Sequence, residues 1–298
     1  MSSIPCYENH DTINNKEIYD KFYNVSGCMV LKNVFDEKTM VRYNKWCETH
    51  MTEAMKDGNS RHPKQRDKIL INDVMGRMSN DDPELLTKII GNEVMNKYID
   101  SLLGLGKIGS CTGHWLEPKG KRQRSHVDYP IHIGSGTFWE NSVDKLKSMT
   151  THYQLNHILP YYSLQVLIAS DSMDIANGST EVIPGSHLIE DLDIKLHDKQ
   201  FYDSMEDKFI NTTLKQGDVF IFCRRLCHRG GENISSNKRN SLIIQYVWPW
   251  GIGQEIIEPC VLDRIKQTYQ YGYLDQEDQS RLQLRVSFPY PKNVSHST

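Results

Sequence analysis

The chain lacks the features that mark membrane proteins, secreted proteins and nucleic-acid-binding proteins. None of its 298 residues belongs to a run approaching 18 consecutive apolar residues, the length that a membrane-spanning helix needs. The formal net charge is -3, so no basic field is present to attract a nucleic-acid backbone. Residues 1–15 show neither a secretory nor a transit pattern. We therefore expect a cytoplasmic protein whose partner is a small molecule, and nothing in the sequence indicates an oligomeric state.

Paired cysteine motifs are missing as well. The seven cysteines are odd in number and scattered, which favours free thiols in a reducing, intracellular setting over a disulfide framework. Cys223 and Cys227 are close in sequence, but no second cysteine pair is present to complete a structural zinc site with them.

Amphipathic helices account for much of the first hundred residues. Asp36 is of the residue type that caps a helix, and the helix after it is predicted to run to about Lys56, with apolar residues at three- and four-residue steps. A second helix is predicted after Asp82, with Pro83 at its first position and Gly104 at its end.

Short strand-like segments take over from about Lys107, separated by Gly, Pro, Asn and Asp, which is the pattern of an all-β sandwich or barrel. The clearest runs, with an earlier one near the N-terminus, are residues 27–34, 163–169, 219–223 and 241–247. A polar, Gly-rich connection joins the last two, which predicts that they pair with each other. The polar residues 57–66 are predicted to form a loop.

These segments predict a mainly β fold with flanking α-helices, in a single domain over residues 1–298. The N-terminal helices occupy about 36–104 and the β core about 107–250. Residues 133–160 lack a firm period, and we interpret them as an insertion that acts as a lid. A short helix is predicted near 262–269.

One histidine is followed two places later by an acid, in the pair His126 and Asp128. On a strand, residues i and i+2 share a face, so the imidazole and the carboxylate can converge on one point. His228 follows the predicted strand over 217–222 and is placed to supply a third ligand. Two imidazoles and one carboxylate on one side of iron(II) leave the opposite positions open for a cosubstrate and dioxygen. Taken alone, the sequence triplet His-x-Asp is also compatible with a surface hydrogen bond.

Arg239 lies eleven residues after His228, at the start of the next predicted strand. A hairpin at this point would bring its guanidinium back beside the metal. The planar fork suits the distal carboxylate of 2-oxoglutarate, because arginine binds a carboxylate at two points and stays charged. Taken by itself, Arg239 is better interpreted as a turn cap or as the partner of a surface acid.

Taken together, several blocks resemble the phytanoyl-CoA dioxygenase family of iron(II)/2-oxoglutarate enzymes. The resemblance spans roughly residues 27–248 and rests on the order of these blocks: residues 27–38, 123–128, 177–187 and 217–218, then His228 and Arg239.

The resemblance implies a jelly-roll core, the double-stranded β-helix, and a site that uses iron(II), 2-oxoglutarate and dioxygen. It implies that His126, Asp128 and His228 hold the metal and that Gln123 contacts 2-oxoglutarate together with Arg239. The related halogenases have a small residue where this chain has Asp128. The resemblance therefore implies hydroxylation, desaturation or oxidative cyclisation rather than halogenation, with release of succinate and carbon dioxide.

The substrate is less constrained, because one scaffold hosts many reactions. Arginines flank the ligand segments and aromatic residues lie in or beside the insertion, which points to an anionic small molecule. A solvated face for the arginines and an ordinary core for the aromatic residues explain them equally well. The predicted substrate-binding residues are Arg122, Arg124, Tyr129, Trp139 and Arg229. The family's substrates range from acyl-CoA thioesters to amino-acid-derived specialised metabolites such as the kainoid precursor.

We favour biosynthetic oxidation of a small carboxylate-bearing metabolite. Two alternatives of the same fold are an acyl-CoA hydroxylase and a catalytically silent binding protein, and the second would require a broken triad. A zinc hydrolase lacks support, because the helical histidine spacing of such enzymes is missing.

Overall fold

The computed structural model describes residues 3–8, 10, 14–57, 61–62, 65–128, 163–190, 192–248 and 257–286. The helices of this part are α1 Asn15–Lys21, α2 Glu37–Asp57, α3 Val74–Asp81, α4 Pro83–Ile90, α5 Glu93–Leu103, α6 Leu192–Lys195, α7 Lys199–Ser204, α8 Pro259–Gln267 and α9 Gln276–Val286. The strands are β1 Cys6–Tyr7, β2 Cys28–Leu31, β3 Arg61–His62, β4 Gln65–Ile71, β5 Lys107–Leu116, β6 Ser163–Ile168, β7 Thr180–Val182, β8 Ile210–Asn211, β9 Val219–Cys223, β10 His228–Gly230 and β11 Arg239–Val247.

Within the described residues, the strands form a large sheet and a small sheet. The large sheet has the order β1-β2-β9-β6-β11-β5-β4-β3, and the small one has the order β10-β7-β8. Five of the nine neighbouring strand pairs join strands that are not consecutive in sequence, as expected of a jelly roll. The sheets approach each other where the ring of His228 on β10 lies 4.8 Å from that of Phe222 on β9. The predicted mainly β class with flanking helices is confirmed.

Helix α2 follows the sequence pattern closely. The carboxylate of Asp36 accepts the backbone N–H of Thr39 at 2.6 Å, which is the expected N-cap bond. The predicted apolar stripe is buried against the large sheet at Met40, Tyr43 and Cys47. The helix therefore covers the outer face of this sheet and leaves the inner face to the site.

The second predicted helix is wrong in its length, because it is two helices. Gly91 ends α4, and the side chain of Asn92 then caps α5 by accepting the N–H of Met95. The short C-terminal helix predicted near 262–269 is confirmed by α8 and the 3-10 turn after it.

Two predictions about strands are also wrong. The runs 219–223 and 241–247 do not pair with each other, because β6 lies between β9 and β11. Residues 57–66 are not a simple loop, since β3 and the start of β4 fall within them. The predicted lid at 133–160 lies outside the described residues.

All seven cysteines carry free thiols, as predicted. No helix among the described residues has the combined length and apolarity needed to cross a bilayer.

Candidate metal centre

A reciprocal backbone bridge holds the two histidines side by side. The N–H of His126 donates to the carbonyl of His228 at 3.0 Å, and the N–H of His228 donates to the carbonyl of His126 at 3.0 Å. Their ring centroids lie 4.5 Å apart. A regular strand was expected at His126, and this expectation is wrong. Within the described residues, His126 forms an isolated β-bridge with His228.

Each imidazole is oriented by a carbonyl two residues earlier. Nδ1 of His126 lies 2.9 Å from the carbonyl oxygen of Arg124, and Nδ1 of His228 lies 2.9 Å from that of Leu226. A carbonyl only accepts, so Nδ1 carries the proton in both rings and Nε2 is left as the acceptor. This is the tautomer that a metal ligand needs.

Asp128 completes the cluster between the two rings. Its Oδ1 lies 3.8 Å from Nε2 of His126, and its Oδ2 lies 3.7 Å from Nε2 of His228. The backbone N–H of Asp128 donates to the carbonyl of Arg224, and Nε2 of Gln165 donates to Oδ2 at 3.1 Å. Main chain and side chain are thus both anchored.

The protonation states suit cation binding. Burial alone would raise the pKa of Asp128, but His228, Arg224 and His126 lower it to about 2, so the group is a carboxylate. Burial lowers the pKa of His228 to about 4 against the opposing effect of Asp128, so this ring is neutral at neutral pH. Among the described residues, these three form the His/Cys/Asp/Glu group with metal-ligand spacing, with ligand atoms within 4.8 Å of one another.

Arg239 is a buried cation that forms no ion pair with any carboxylate of the described residues. Only 6% of the residue is exposed, and within the described residues its guanidinium donates to Oγ of Ser241 at 3.3 Å and to Sδ of Met173 at 3.7 Å. Its Nε has no hydrogen-bond partner in the described part of the chain. Burial lowers the pKa of Arg239 to about 10, against the opposing effect of Asp171, so the side chain remains charged at neutral pH.

Sequence reasoning missed Lys68 on β4. Leu116 on β5 pairs with Arg239 on one side and with Lys68 on the other, so the two cations project from the same face of the sheet. Burial and the charge of Arg239 lower the pKa of Lys68 to about 8, and Asp128 opposes this. The sequence signal for Lys68 was its position beside the apolar run Ile69–Ile71. The polar residues before it do not follow a strand pattern, so the strand was not predicted.

Gln123 and two of the predicted substrate arginines have partners within the protein. Oε1 of Gln123 accepts the N–H of Gly230 at 2.8 Å. Arg229 donates to Glu181 and Glu206, and Arg122 lies 3.1 Å from Glu181. Arg229 follows His228 on β10, so its side chain points away from the imidazole. Roles of these residues toward 2-oxoglutarate or substrate stay predictions.

Arg124 also lies within a local contact set. Its guanidinium donates to the carbonyl of Leu196 at 3.3 Å and lies 5.3 Å from the ring of Tyr202. Tyr129 and Trp139 lie outside the described residues. The structure thus groups His126, Asp128 and His228, and the remaining predicted substrate contacts stay predictions.

Comparison with known proteins identifies the family of this chain. The model of the phytanoyl-CoA dioxygenase family matches residues 23–241, which include the cluster and Arg239. The chain belongs to the phytanoyl-CoA dioxygenase family. Dioxygenase trt7 of Aspergillus terreus is 32% identical over 137 residues, 43% of this chain and 39% of that protein. Dioxygenase cdmD of Talaromyces verruculosus is 31% identical over 85 residues, 28% of this chain and 26% of that protein. The match thus spans well under half the length of each relative.

Solved structures show the same fold at low identity. HygX from Streptomyces hygroscopicus, solved with nickel and 2-oxoglutarate, has a TM-score of 0.59 at 9% identity and covers 84% of this chain and 94% of its own. The carbocyclase SnoK from nogalamycin biosynthesis has a TM-score of 0.55 at 16% identity, covering 80% and 86%. The family chain thus has the jelly-roll core of 2-oxoglutarate-dependent oxygenases.

Proposed function

We propose that this family member is a non-haem iron(II) oxygenase that uses 2-oxoglutarate and dioxygen, with the metal held by His126, Asp128 and His228. The observation that carries the proposal is the convergence of two Nε2 atoms and one ionised carboxylate, each already oriented by hydrogen bonds within the protein. Neutral imidazole and carboxylate donors suit iron(II), and three ligands on one side leave positions for small molecules.

The spacing of the donors fits a metal of this size. Ligands about 2.1 Å from one metal at right angles lie about 3 Å from each other. Oδ1 of Asp128 lies 3.8 Å from Nε2 of His126, its Oδ2 lies 3.7 Å from Nε2 of His228, and the ligand atoms lie within 4.8 Å of one another, so the donors need to move together by at most about 2 Å to reach this spacing.

Arg239 is proposed to bind the distal carboxylate of 2-oxoglutarate. A buried guanidinium whose hydrogen bonds go to a hydroxyl and a thioether is matched by an anion that enters the site. Lys68 on the same face adds a second positive charge, so the pair favours a dianionic cosubstrate over a neutral one. Gln123 is proposed to act beside them, as the family resemblance implies.

Iron(II) with 2-oxoglutarate and dioxygen would supply an oxidant strong enough to attack an unactivated C–H bond, leaving succinate and carbon dioxide. The protein holds the reacting groups in place and excludes water. Asp128 occupies the coordination position that a halide would need. Hydroxylation, desaturation or cyclisation is therefore proposed rather than chlorination.

The proposed substrate is a small carboxylate-bearing metabolite of specialised metabolism. Arg224 supports this, because it is buried at 6% exposure and its charge reaches Asp128 strongly enough to lower the pKa of that carboxyl. A cation beside the metal ligands attracts an anionic substrate toward the reacting position.

Succinate formation is the experiment that tests the function. Purified protein with iron(II), ascorbate and 2-oxoglutarate should form succinate, and added carboxylate metabolites should accelerate it. The expected product gains oxygen or loses hydrogen, and it contains no chlorine even in high chloride. Succinate formation that is independent of iron, or a chlorinated product, would contradict the assignment of Asp128 as a ligand.

A further inference from the structure

Two glutamines face each other on the inner face of the large sheet. Gln165 on β6 pairs directly with Gln245 on β11, and residues opposite each other in a ladder project from the same face. The bond from Gln165 to Asp128 identifies this face as the one that looks toward the metal ligands. Gln165 is 8% exposed and Gln245 is fully buried.

Within the described residues, each amide has one end bonded and one end without a partner. Nε2 of Gln165 donates to Asp128, which leaves Oε1 unpaired. Oε1 of Gln245 accepts from Oγ of Ser110 at 3.5 Å, which leaves Nε2 unpaired. Buried polar atoms are normally hydrogen-bonded, because an unpaired one costs stability. An acceptor and a donor therefore stand unsatisfied side by side, next to a proposed metal ligand.

The location separates these amides from the cosubstrate. Arg239 and Gln245 lie on the same strand six residues apart, which is roughly 20 Å along β11. Lys68 is aligned with Arg239 and not with Gln245. If the two cations hold 2-oxoglutarate, the two glutamine amides lie on the other side of Asp128. A primary substrate would lie there.

We propose that Oε1 of Gln165 and Nε2 of Gln245 bind a neutral group of the primary substrate that both donates and accepts hydrogen bonds, such as a carboxamide or a hydroxyl. This inference rests on the proposed function and adds a specificity element to it. A carboxylate at this point would face Oε1 of Gln165 and the negative charge of Asp128. An ammonium group has no acceptor for Nε2 of Gln245.

Thermal unfolding of the full-length protein without substrate is the first test. If the free end of Gln245 awaits a ligand, Gln245→Met removes an unsatisfied buried donor and should raise the midpoint of unfolding by about 2–4 °C. Gln200→Met, at an exposed position on α7, should leave it unchanged. A lowered or unchanged midpoint in Gln245→Met would mean that the amide is a satisfied structural group, and would overturn the proposal.

A binding measurement with three probes of equal length is the second test. The zinc-loaded protein with 2-oxoglutarate is titrated with pentanamide, pentanoate or pentylamine while the side-chain NH2 signals of glutamine are followed by NMR. Gln165→Met and Gln245→Met identify the two signals by their loss. Pentanamide should shift both signals, and Gln245→Met should weaken its binding about tenfold.

Two outcomes contradict the inference, and one distinguishes it from the proposed function. The inference fails if pentanamide shifts neither signal at its solubility limit, or if pentanoate or pentylamine shifts them equally well. If 2-oxoglutarate itself causes no change in the spectrum of the zinc-loaded protein, the proposed function fails first. If 2-oxoglutarate binds and pentanamide does not, only the amide-recognition inference is lost.

Discussion

The two ends of the site differ in how their polar groups are satisfied. At the metal-ligand end, both imidazoles bond to carbonyls, the two histidines bridge each other through the backbone, and Asp128 is held by Gln165. On the inner face of the large sheet, Nε of Arg239, Oε1 of Gln165 and Nε2 of Gln245 are buried and have no partner among the residues that the structure describes.

The metal-ligand end of the site is preorganised, whereas the inner face of the large sheet is arranged to recognise organic molecules. Ligand atoms for a metal must be aimed before the metal arrives, so their supporting bonds are complete in the protein alone. Groups that bind organic molecules stay unsatisfied until those molecules enter, and they reduce stability in the meantime. Substitutions at the two ends should therefore have opposite effects on stability and different effects on binding.

Loss of a metal ligand should give the largest effect. Replacing His126, Asp128 or His228 by Ala should abolish iron-dependent succinate formation and leave the far-ultraviolet circular dichroism unchanged, because these side chains serve the site rather than the core. Iron binding by equilibrium dialysis measures the same loss without turnover. Retained turnover in His228→Ala would remove that residue from the ligand set.

Replacing Arg239 should weaken the binding of 2-oxoglutarate more than the binding of iron. Arg239→Met leaves a bound carboxylate without its charged partner, a loss of about 3–5 kcal/mol, which corresponds to roughly two to three orders of magnitude in affinity. Arg239→Lys should recover only part, since an ammonium lacks the planar two-point contact. Lys238→Met is the matched control, because Lys238 is exposed and pairs with Glu48. Equal affinity in Arg239→Met and Lys238→Met would assign the carboxylate to another cation.

The ion-pair cluster behind His228 should contribute to stability. Arg229 and Glu181 are both about 5% exposed, so Arg229→Met leaves a buried carboxylate whose remaining ion pair within the described residues is with Arg122. The free energy of unfolding should fall by about 3 kcal/mol. Lys199→Met, which breaks an exposed pair with Asp203, should change it by less than about 0.5 kcal/mol. Equal values for the two variants in urea unfolding would mean that the cluster does not support β10.

Lys68 should make 2-oxoglutarate affinity dependent on pH. Its pKa is about 8 in the free protein, and a bound dianion raises it, so the complex holds more protons than the free protein. Affinity should therefore fall by about tenfold between pH 7 and pH 9, a range in which the carboxylates of 2-oxoglutarate do not titrate. Lys68→Arg should remove this slope. An identical slope in Lys68→Arg would assign the pH dependence to another group.

The ligand cluster was predictable because its signal is local. His126 and Asp128 are two residues apart, and the order of motifs around His228 and Arg239 is characteristic of the family. The caps at Asp36 and Asp82 were predictable for the same reason, since a side chain bonds to a backbone N–H three residues later. The single-domain interpretation over residues 1–298 stays a prediction.

The remaining features depend on strand order, which the sequence does not state. The polar, Gly-rich connection between β9 and β11 indicated that these strands pair, but β6 pairs with both strands and inserts between them. Lys68 reaches the site only because β4 pairs with β5. Gln165 and Gln245 each interrupt an apolar strand, a signal of buried function, but their pairing appears only once the register is known.

Titration of 2-oxoglutarate into anaerobic, iron(II)-loaded protein tests the central claim most directly. We expect a metal-to-ligand absorption band that saturates at one 2-oxoglutarate per iron, that needs far more 2-oxoglutarate in Arg239→Met, and that is absent in His228→Ala. A protein that binds iron(II) and gives no band with 2-oxoglutarate would contradict it, as would an undiminished band in His228→Ala.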